Sequence, residues 1–246
     1  HCNFQLRGRA ADMDADFVEQ LAKEMEVPVF IPQFNTKKYA KEKGLSTQLA
    51  ARELRYNWFD EIVKKRGYTK IATAHHLNDS IETVIYNLVK GTGINGLTGI
   101  PVRNGNIVRP LSFARRSVIE AYAVDNALRW GEDISNMEND YSRNLIRNKV
   151  LPHLKKINPS LEETFITTLD RLKSTSKVVN EQIDQLKNSL SIKQGDTYIK
   201  KKALKSVEIA VLAELLKTYA FNYAQCVDIK AALNGVGKVF YAPEYK

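Results

Sequence analysis

A dense group of titratable side chains, two histidines with an aspartate and a glutamate, lies between residues 73 and 83 of the sequence. His75 and Asp79 in this group are four residues apart, a spacing that places them on one side of a helical turn. Such a pair could bind Mg²⁺ through the carboxylate, orient a nucleophile or move a proton. The alternative is that Asp79 only caps the helix that follows. The spacing therefore marks His75 and Asp79 as candidate site residues and leaves these roles open.

Two pairs of arginines also have helical spacing. Arg52 and Arg55 are three residues apart, which would let their guanidinium groups hold a polyphosphate through forked hydrogen bonds. Arginine-rich helices also commonly just face water, so this pair alone is a weak signal. Arg143 and Arg147 are four residues apart near the predicted start of a helix. Both pairs are candidates for contacts with phosphate groups.

The net charge of +9 comes from 37 basic and 28 acidic residues, and it is unevenly distributed. Residues 141–207 contain 14 lysines and arginines against 6 acidic residues, which accounts for nearly all of the excess. Concentrated basic residues attract phosphate backbones by counterion release. A solvated helix surface is the alternative. The candidate contacts to nucleic acid are Arg171, Lys200, Lys201 and Lys202.

Helices and strands alternate over the first 110 residues. The hydrophobic pattern predicts a helix over 11–25, a strand over 27–31, a helix over 47–66 between Ser46 and Gly67, a buried strand over 70–74, and a helix over 79–90 ending at Gly91. This alternation predicts an α/β fold, a doubly wound and mainly parallel sheet covered on both faces. Ligands bind such sheets at the carboxyl ends of strands, which is where His75 and Asp79 lie.

The chain after Pro110 is mainly helical in pattern. We expect helices near 114–128 and 142–156, a long amphipathic helix after a capping box of Ser160 and Glu163, a short strand near 197–200, a helix over 203–221, and a helix–strand pair ending at Tyr241. The predicted domains are a catalytic domain over 1–157, a linker helix over 158–195 and a small α/β unit over 196–246.

The composition, 43% hydrophobic and 26% charged, is that of a globular protein and excludes a disordered or fibrous chain. No apolar run approaches the roughly 20 residues that a membrane span needs, so no membrane partner is expected. Cys2 and Cys226 lie far apart, which excludes a CxxC pair and a disulfide framework and indicates a reducing cytoplasm.

Several motifs, taken in order, resemble one family. They are HCNFQLRG at 1–8, ARELRY at 51–56, ATAHHLNDSIET at 72–83, the glycine-rich run 90–100, VRPL at 108–111, EDISN at 132–136, and RNLIR at 143–147 with LP at 151–152. This combination resembles the bacterial tRNA(Ile)-lysidine synthetases, members of the PP-loop group of N-type ATP pyrophosphatases. The resemblance is continuous over residues 1–160. The family's SGGxDS loop would precede the segment that matches His1, so the resemblance implies an internal portion of a longer protein.

The resemblance implies a ligase that forms a carbon–nitrogen bond. Such an enzyme adenylates the wobble cytidine of a minor tRNA(Ile) with a CAU anticodon, and L-lysine then displaces AMP from C2 to give lysidine. ATP and Mg²⁺ are the implied cofactors, and a homodimer is compatible with the family. The implied catalytic residues are His75, Asp79, Arg143 and Arg147, with Asp79 as a ligand of the metal or of the lysine amine. The implied nucleotide-binding residues are His1, Asn3, Arg52 and Arg55.

Two other functions remain compatible with the sequence. A related tRNA-thiolation enzyme has the same PP-loop fold, but that chemistry generally needs paired cysteines, which Cys2 and Cys226 do not supply. A non-catalytic RNA-binding module is the second alternative, because the family's ATP loop is not part of this sequence. The small unit over 196–246 is expected to bind tRNA.

Overall fold

The computed structural model describes residues 1–131, 142–193 and 196–243. These residues form two compact units. The first unit contains His1–Ala74, Val102–Leu111 and Ile119–Asp133. The second unit contains His75–Pro101, Ser112–Val118 and Ile134–Lys246. None of the helices in the described part of the chain is both long enough and apolar enough to cross a membrane.

Three helices begin the first unit: α1 (Arg9–Glu24), α2 (Thr36–Lys43) and α3 (Thr47–Arg66). The local sequence explains the ends of α3. Ser46 accepts a hydrogen bond from the backbone nitrogen of Leu49 at 3.3 Å, and the chain leaves the helix at Gly67 with φ of 69°. Glycine adopts this left-handed conformation without a steric penalty. The predictions of a helix over 11–25 and of a capped helix over 47–66 are confirmed.

The sheet of the first unit contains β1 (Ile71–Ala72), β2 (Arg103–Asn104) and β3 (Ile107–Val108) in the order β1-β3-β2. β1 and β3 are parallel, and β2 and β3 are antiparallel. The strand predicted over 70–74 is therefore present but shorter. The prediction that it is buried is wrong, because Ile71 is half-buried and Ala72 is exposed, with a paired strand on one side only in the described residues.

The strand predicted over 27–31 is wrong as a continuous strand. The segment instead makes isolated backbone hydrogen bonds with the first residues: the nitrogen of Asn3 donates to the carbonyl of Pro32 at 3.0 Å, and Asn3 forms a single parallel bridge with Gln33. Pro28 and Pro32 have no backbone N–H group, so a regular ladder of hydrogen bonds cannot form through this segment.

The second unit begins with α4 (Leu77–Lys90), which ends at Gly91 as predicted. A 3₁₀ turn (Ile94–Leu97) follows. α5 (Arg116–Asp125) starts in the second unit, and its residues from Ile119 onwards belong to the first unit. The second unit continues with α6 (Ser142–Leu145), a π-helical turn (Ile146–Val150) and α7 (Leu151–Ile157). The helices expected near 114–128 and 142–156 are therefore confirmed. The main core of this unit consists of Leu77, Ile81, Val84, Ile146, Leu151, Leu161 and Leu169.

The long helix α8 (Leu161–Asn188) is amphipathic as predicted, with Leu169, Ile183 and Leu186 buried. Its predicted capping box is wrong. The side chain of Ser160 makes no capping hydrogen bond, and its backbone nitrogen donates to Oδ1 of Asn158 at 3.0 Å. The carboxylate of Glu163 pairs with Arg115 and so does not return to the nitrogen of Ser160.

The last part of the second unit starts with an antiparallel hairpin, β4 (Ser191–Lys193) and β5 (Asp196–Tyr198). The helices α9 (Lys201–Ser206), α10 (Ile209–Leu216) with a 3₁₀ turn (Lys217–Tyr219), and α11 (Tyr223–Ala232) follow.

The single helix predicted over 203–221 is wrong, because the chain is extended at Val207 and the ammonium group of Lys230 binds the Val207 carbonyl. After α11, the described residues contain a bridge at Ala242 and not a strand ending at Tyr241. The predicted domain limits stay predictions.

Candidate active site

The candidate active site lies at the N-terminus of α4, where Asp79 closes the first turn. The backbone nitrogen of His76 donates to Oδ2 of Asp79 at 2.9 Å, so this carboxylate satisfies a donor that the helix leaves without a partner. Asp79 therefore caps the helix, and its second oxygen remains available for another contact.

Arg147 provides that contact and joins two carboxylates of α4. Its Nη2 atom lies 3.3 Å from Oδ1 of Asp79, and its Nε and Nη2 atoms donate to the two oxygens of Glu82 at 2.7 and 2.9 Å. Glu82 is only 3% exposed. The hydrogen bonds that Arg147 donates to Glu82 outweigh the effect of burial and raise the pKa of Arg147 above its ordinary value. This network, formed by Asp79, Glu82 and Arg147, holds a permanent cation between two acids.

A π-helical turn carries Arg147. Its first residue, Ile146, is 7% exposed and packs in the core, which fixes the turn in place. A π turn changes the angular spacing of side chains and occurs frequently at functional sites. Arg143 precedes the turn in α6 and its side chain is exposed, whereas Arg147 is engaged with the acids of α4. The structure therefore brings Arg147 and Asp79 together and leaves Arg143 outside their network.

The two histidines before α4 differ in position. His75, the predicted catalytic residue, is half-buried. The Nδ1 atom of His76 lies 3.6 Å from Oδ2 of Asp79, which is beyond a hydrogen bond. The sequence pattern did not single out His76 or Glu82 as site residues. Glu82 could have been found from its spacing, since it lies three residues after Asp79 on the same helical face.

The geometry does not fit a magnesium site formed by these side chains alone. Each oxygen of Asp79 already accepts a hydrogen bond, and a metal ion would compete with the guanidinium group of Arg147 for them. Residues 1–131, 142–193 and 196–243 contain no group of three or more histidine, cysteine, aspartate or glutamate side chains that could hold a metal. The role of Asp79 as a metal ligand stays a sequence prediction.

The predicted nucleotide-binding residues lie in the first unit. Asn3 is 1% exposed; its amide donates to Oδ1 of Asp12 at 2.9 Å and accepts from the Gln5 backbone at 3.0 Å. The guanidinium group of Arg55 lies 5.2 Å from the ring centre of Phe4, a cation–π contact that brings α3 to the segment of His1 and Asn3.

Arg52 makes a different contact. Its guanidinium group lies 4.8 Å from the ring centre of Tyr56 on the same helix. Both Arg52 and Arg55 are exposed, and so is His1. Because the amide of Asn3 is committed to neighbouring protein groups, this residue is better suited to shaping the segment than to reading a base. The nucleotide roles of these four residues stay predictions.

The basic residues predicted to contact nucleic acid are all exposed: Arg171 on α8, Lys200 just before α9, and Lys201 and Lys202 within it. Lys201 differs from the others, because its Nζ atom donates to the carbonyl of Gly235 at 2.7 Å. Lys201 therefore has a structural contact in addition to its charge. The segment 132–136, which also carries the family resemblance, lies outside the described residues.

Residues 1–154 match the family model described as the PP-loop domain. The chain belongs to the PP-loop family. This membership confirms the predicted α/β fold class, of which the parallel pairing of β1 with β3 is a part. Residues 191–246 match a second model, the TilS substrate binding domain.

Curated proteins similar to this PP-loop chain confirm the resemblance that the motifs indicate. The tRNA(Ile)-lysidine synthase of Bacteroides thetaiotaomicron is 41% identical over 250 residues, which cover 100% of this chain and 58% of the relative. That of Porphyromonas gingivalis strain W83 is 38% identical over 248 residues, 100% of this chain and 54% of the relative. That of Chlorobaculum tepidum is 42% identical over 168 residues, 66% of this chain and 50% of the relative. The chain thus spans about half the length of these relatives.

Proposed function

We propose that this chain is part of a tRNA(Ile)-lysidine synthetase, an ATP-dependent ligase that joins L-lysine to C2 of the wobble cytidine in tRNA(Ile) with a CAU anticodon. One observation carries the proposal: proteins named tRNA(Ile)-lysidine synthase match the whole chain, including the region that matches a dedicated substrate-binding domain. The PP-loop match supports ATP as the activating substrate.

The network of Asp79, Glu82 and Arg147 suits both steps of this reaction. In the first step the O2 atom of cytidine attacks the α-phosphorus of ATP and pyrophosphate leaves. A guanidinium group such as that of Arg147 stabilises the negative charge that develops on the phosphoryl oxygens.

In the second step the lysine amine attacks C2, the C2–O2 bond breaks, and AMP leaves with that oxygen. The amine must first lose a proton, and a carboxylate or imidazole can accept it. Asp79 and His75 are our candidates for that base, and the acids of α4 would attract the cationic lysine. Arg143, being exposed, is our candidate for contact with the RNA.

The thiolation alternative is disfavoured by the environments of the two cysteines. In the second unit, Cys226 is fully buried, and burial raises the pKa of its thiol. In the first unit, burial also raises the pKa of Cys2. A reactive thiolate needs the opposite change. Magnesium stays a prediction that requires ligands besides these side chains, and a homodimer and a cytoplasmic location also stay predictions.

Incorporation of labelled lysine tests the proposed function. The full-length protein should transfer radiolabelled L-lysine to a tRNA(Ile) transcript with a CAU anticodon only when ATP is added. A matched transcript with uridine at the wobble position should accept none, because it lacks the cytidine that is modified. Binding of the transcript without lysine transfer would instead favour the RNA-binding module, and transfer of sulfur would favour thiolation.

The exposed basic residues should provide contacts to the tRNA backbone. We expect the triple variant Arg171→Glu, Lys200→Glu, Lys202→Glu to weaken binding of all tRNAs similarly. The slope of log affinity against log salt should become flatter by roughly 0.7–0.9 for each phosphate group that the variant no longer binds. Phosphate contacts position an RNA without reading its sequence. Filter binding between about 50 and 200 mM salt measures both effects. Lys201 is left unchanged because of its contact with Gly235.

A control variant separates these local contacts from net charge. Lys37→Glu, Lys41→Glu, Lys64→Glu produces the same change in net charge at three exposed positions of the first unit. The control should keep most of the affinity and the salt slope. Equal weakening in both variants, or no weakening in either, would show that the basic residues after residue 141 are a solvated surface.

A further inference from the structure

The glycine-rich loop over residues 91–99 follows α4 directly, and the proposed reaction gives it no role. Two of its glycines lie close to neighbouring side chains. A Cβ atom on Gly93 would lie 1.8 Å from Oε1 of Glu214 in α10, so a side chain there would displace that carboxylate. Gly99 has φ of 76°, and a Cβ atom on it would lie 3.1 Å from the Cβ atom of Ser80 and 3.3 Å from Leu169. The loop is therefore a tightly packed junction.

Asn95 is the centre of this junction. Its Oδ1 atom accepts hydrogen bonds from Oγ of Ser176 at 2.6 Å and from Nδ2 of Asn180 at 3.1 Å, both on α8. Its Nδ2 atom donates to Oε2 of Glu214 on α10 at 3.0 Å and to Oδ1 of Asn180 at 3.2 Å. One amide group thus ties the loop after α4 to two separate helices.

The chemistry of this junction specifies an orientation. Apolar contacts are non-directional and tolerate sliding of one helix on another. Hydrogen bonds need defined distances and angles, and a buried network that is fully satisfied favours one arrangement. Ser176 is only 6% exposed, and Asn95, Asn180 and Glu214 are half-buried, so the network is partly shielded from competing water. The junction is therefore suited to fixing the register of α8 and α10 on the loop.

The elements joined here carry different parts of the proposed function. α4 begins with Asp79 of the candidate active site, and the loop leaves its other end. α10 lies in the region 191–246, which matches the substrate-binding domain and contains the exposed Lys200 and Lys202. A tRNA that contacts this region can present its anticodon to Asp79 only if the two parts keep a defined geometry.

We propose that Asn95 is a positioning residue that holds α8 and α10 in a fixed arrangement on the loop after α4, so that bound tRNA reaches the active site. This inference rests on the proposed function for its kinetic consequence. Its structural consequence does not depend on that function. A structural experiment and a kinetic experiment can therefore distinguish failure of this inference from failure of the proposed function.

The structural experiment measures a distance between spin labels in the full-length protein without tRNA. Labels on Leu88→Cys in α4 and Tyr223→Cys in α11 report on the junction, because these residues are 64% and 60% exposed. Cys2 is replaced by serine in the background, and Cys226 is fully buried and protected from labelling. Asn95→Ala should broaden or shift the distance distribution by electron paramagnetic resonance. An unchanged distribution would overturn the proposal.

Asn87→Ala is the matched control for both experiments. The Nδ2 atom of Asn87 donates to the carbonyl of Gly96 at 2.7 Å, so this variant also removes an amide hydrogen bond to the loop. Asn87 lies on α4, and this hydrogen bond does not involve α8 or α10. We expect Asn87→Ala to keep the distance distribution of the parent. The same broadening in both variants would show a general loosening of the loop and would overturn the specific role of Asn95.

The kinetic experiment uses the lysine-transfer assay. Asn95→Ala should raise KM for tRNA roughly tenfold, the scale of removing one or two buried hydrogen bonds. The kcat at saturating tRNA and the KM values for ATP and lysine should stay within about twofold of the parent. A fall in kcat with unchanged KM for tRNA would contradict the positioning role. If the parent transfers no lysine, the proposed function fails, and the distance measurement still decides the role of Asn95.

Exchanging the amide and the carboxylate between Asn95 and Glu214 tests their contact directly. Asn95→Asp should raise KM for tRNA because it places a second carboxylate against Glu214. Adding Glu214→Gln restores a donor and acceptor pair at the same place, so the double variant should recover much of the affinity for tRNA. Failure of Glu214→Gln to rescue Asn95→Asp would show that the contact between these two side chains does not carry the effect.

Discussion

Replacing Asp79 with asparagine should lower turnover about 100-fold or more in the full-length enzyme while leaving its folding nearly unchanged. The variant keeps the shape of the side chain, and its Oδ1 atom can still accept the hydrogen bond from the nitrogen of His76. What it removes is the negative charge that faces Arg147 and that, in the proposed reaction, attracts the lysine ammonium group. Labelled-lysine transfer at saturating substrates measures turnover, and urea unfolding measures the free energy of unfolding.

The same variant tests the simpler role of Asp79 as a helix cap. Asparagine stabilises helix N-termini about as well as aspartate, so a purely capping residue would tolerate this change. Turnover within about threefold of the parent would assign Asp79 to capping alone. Asp184→Asn is the matched control, since it removes one charge from a side chain that is 71% exposed on α8. That control should leave turnover unchanged.

Among these single substitutions, Arg147→Met should decrease the free energy of unfolding the most. In Arg147→Met the carboxylate of Glu82, 3% exposed, is left without both of its hydrogen bonds to the guanidinium group. Removing one partner of a buried ion pair typically costs about 3–5 kcal/mol, because the remaining charge is left uncompensated. We expect a decrease of about that size in the free energy of unfolding, measured with urea at neutral pH, together with loss of lysine transfer.

A double variant separates the contribution of Arg147 and Glu82 to the free energy of unfolding from their contribution to lysine transfer. Arg147→Met with Glu82→Leu replaces both charges by apolar groups, and such replacements are often neutral for stability. The double variant should therefore recover most of the free energy of unfolding but none of the lysine transfer. Recovery of transfer as well would show that the pair is structural. A decrease below about 1 kcal/mol in Arg147→Met would show that Glu82 is rehydrated easily.

Local sequence was sufficient wherever a residue acts on its immediate neighbours. Ser46, Gly67 and Gly91 set the ends of α3 and α4 through hydrogen bonds or dihedral angles within a few residues, and the sequence pattern predicts all three. The strand expected over 27–31 failed for a reason that was also local. Its prolines cannot donate the hydrogen bonds that its apolar pattern suggested.

The candidate site could be predicted only in part, because its contacts are distant in sequence. The position of Asp79 at a strand end and helix start marked it as a site residue. Its partner Arg147 is 68 residues away, and the choice of Arg147 over Arg143 depends on a π turn that no local pattern predicted. The capping prediction for Glu163 failed for the same reason. Its carboxylate pairs with Arg115, which is 48 residues away, and does not cap α8.

α8 is long enough that a small change in its tilt moves its ends by several ångströms. With 28 residues and a rise of about 1.5 Å per residue, the helix is about 42 Å long. A tilt of about 5° pivoting at one end would move the other end by roughly 3.6 Å, about the 3.4 Å rise between neighbouring bases of one strand. Asn95 holds α8 at Ser176, near its midpoint, so the same tilt there moves either end by only about half as much. A hydrogen bond near the middle of α8 therefore reduces the displacement of the helix ends from about one base step to about half of one.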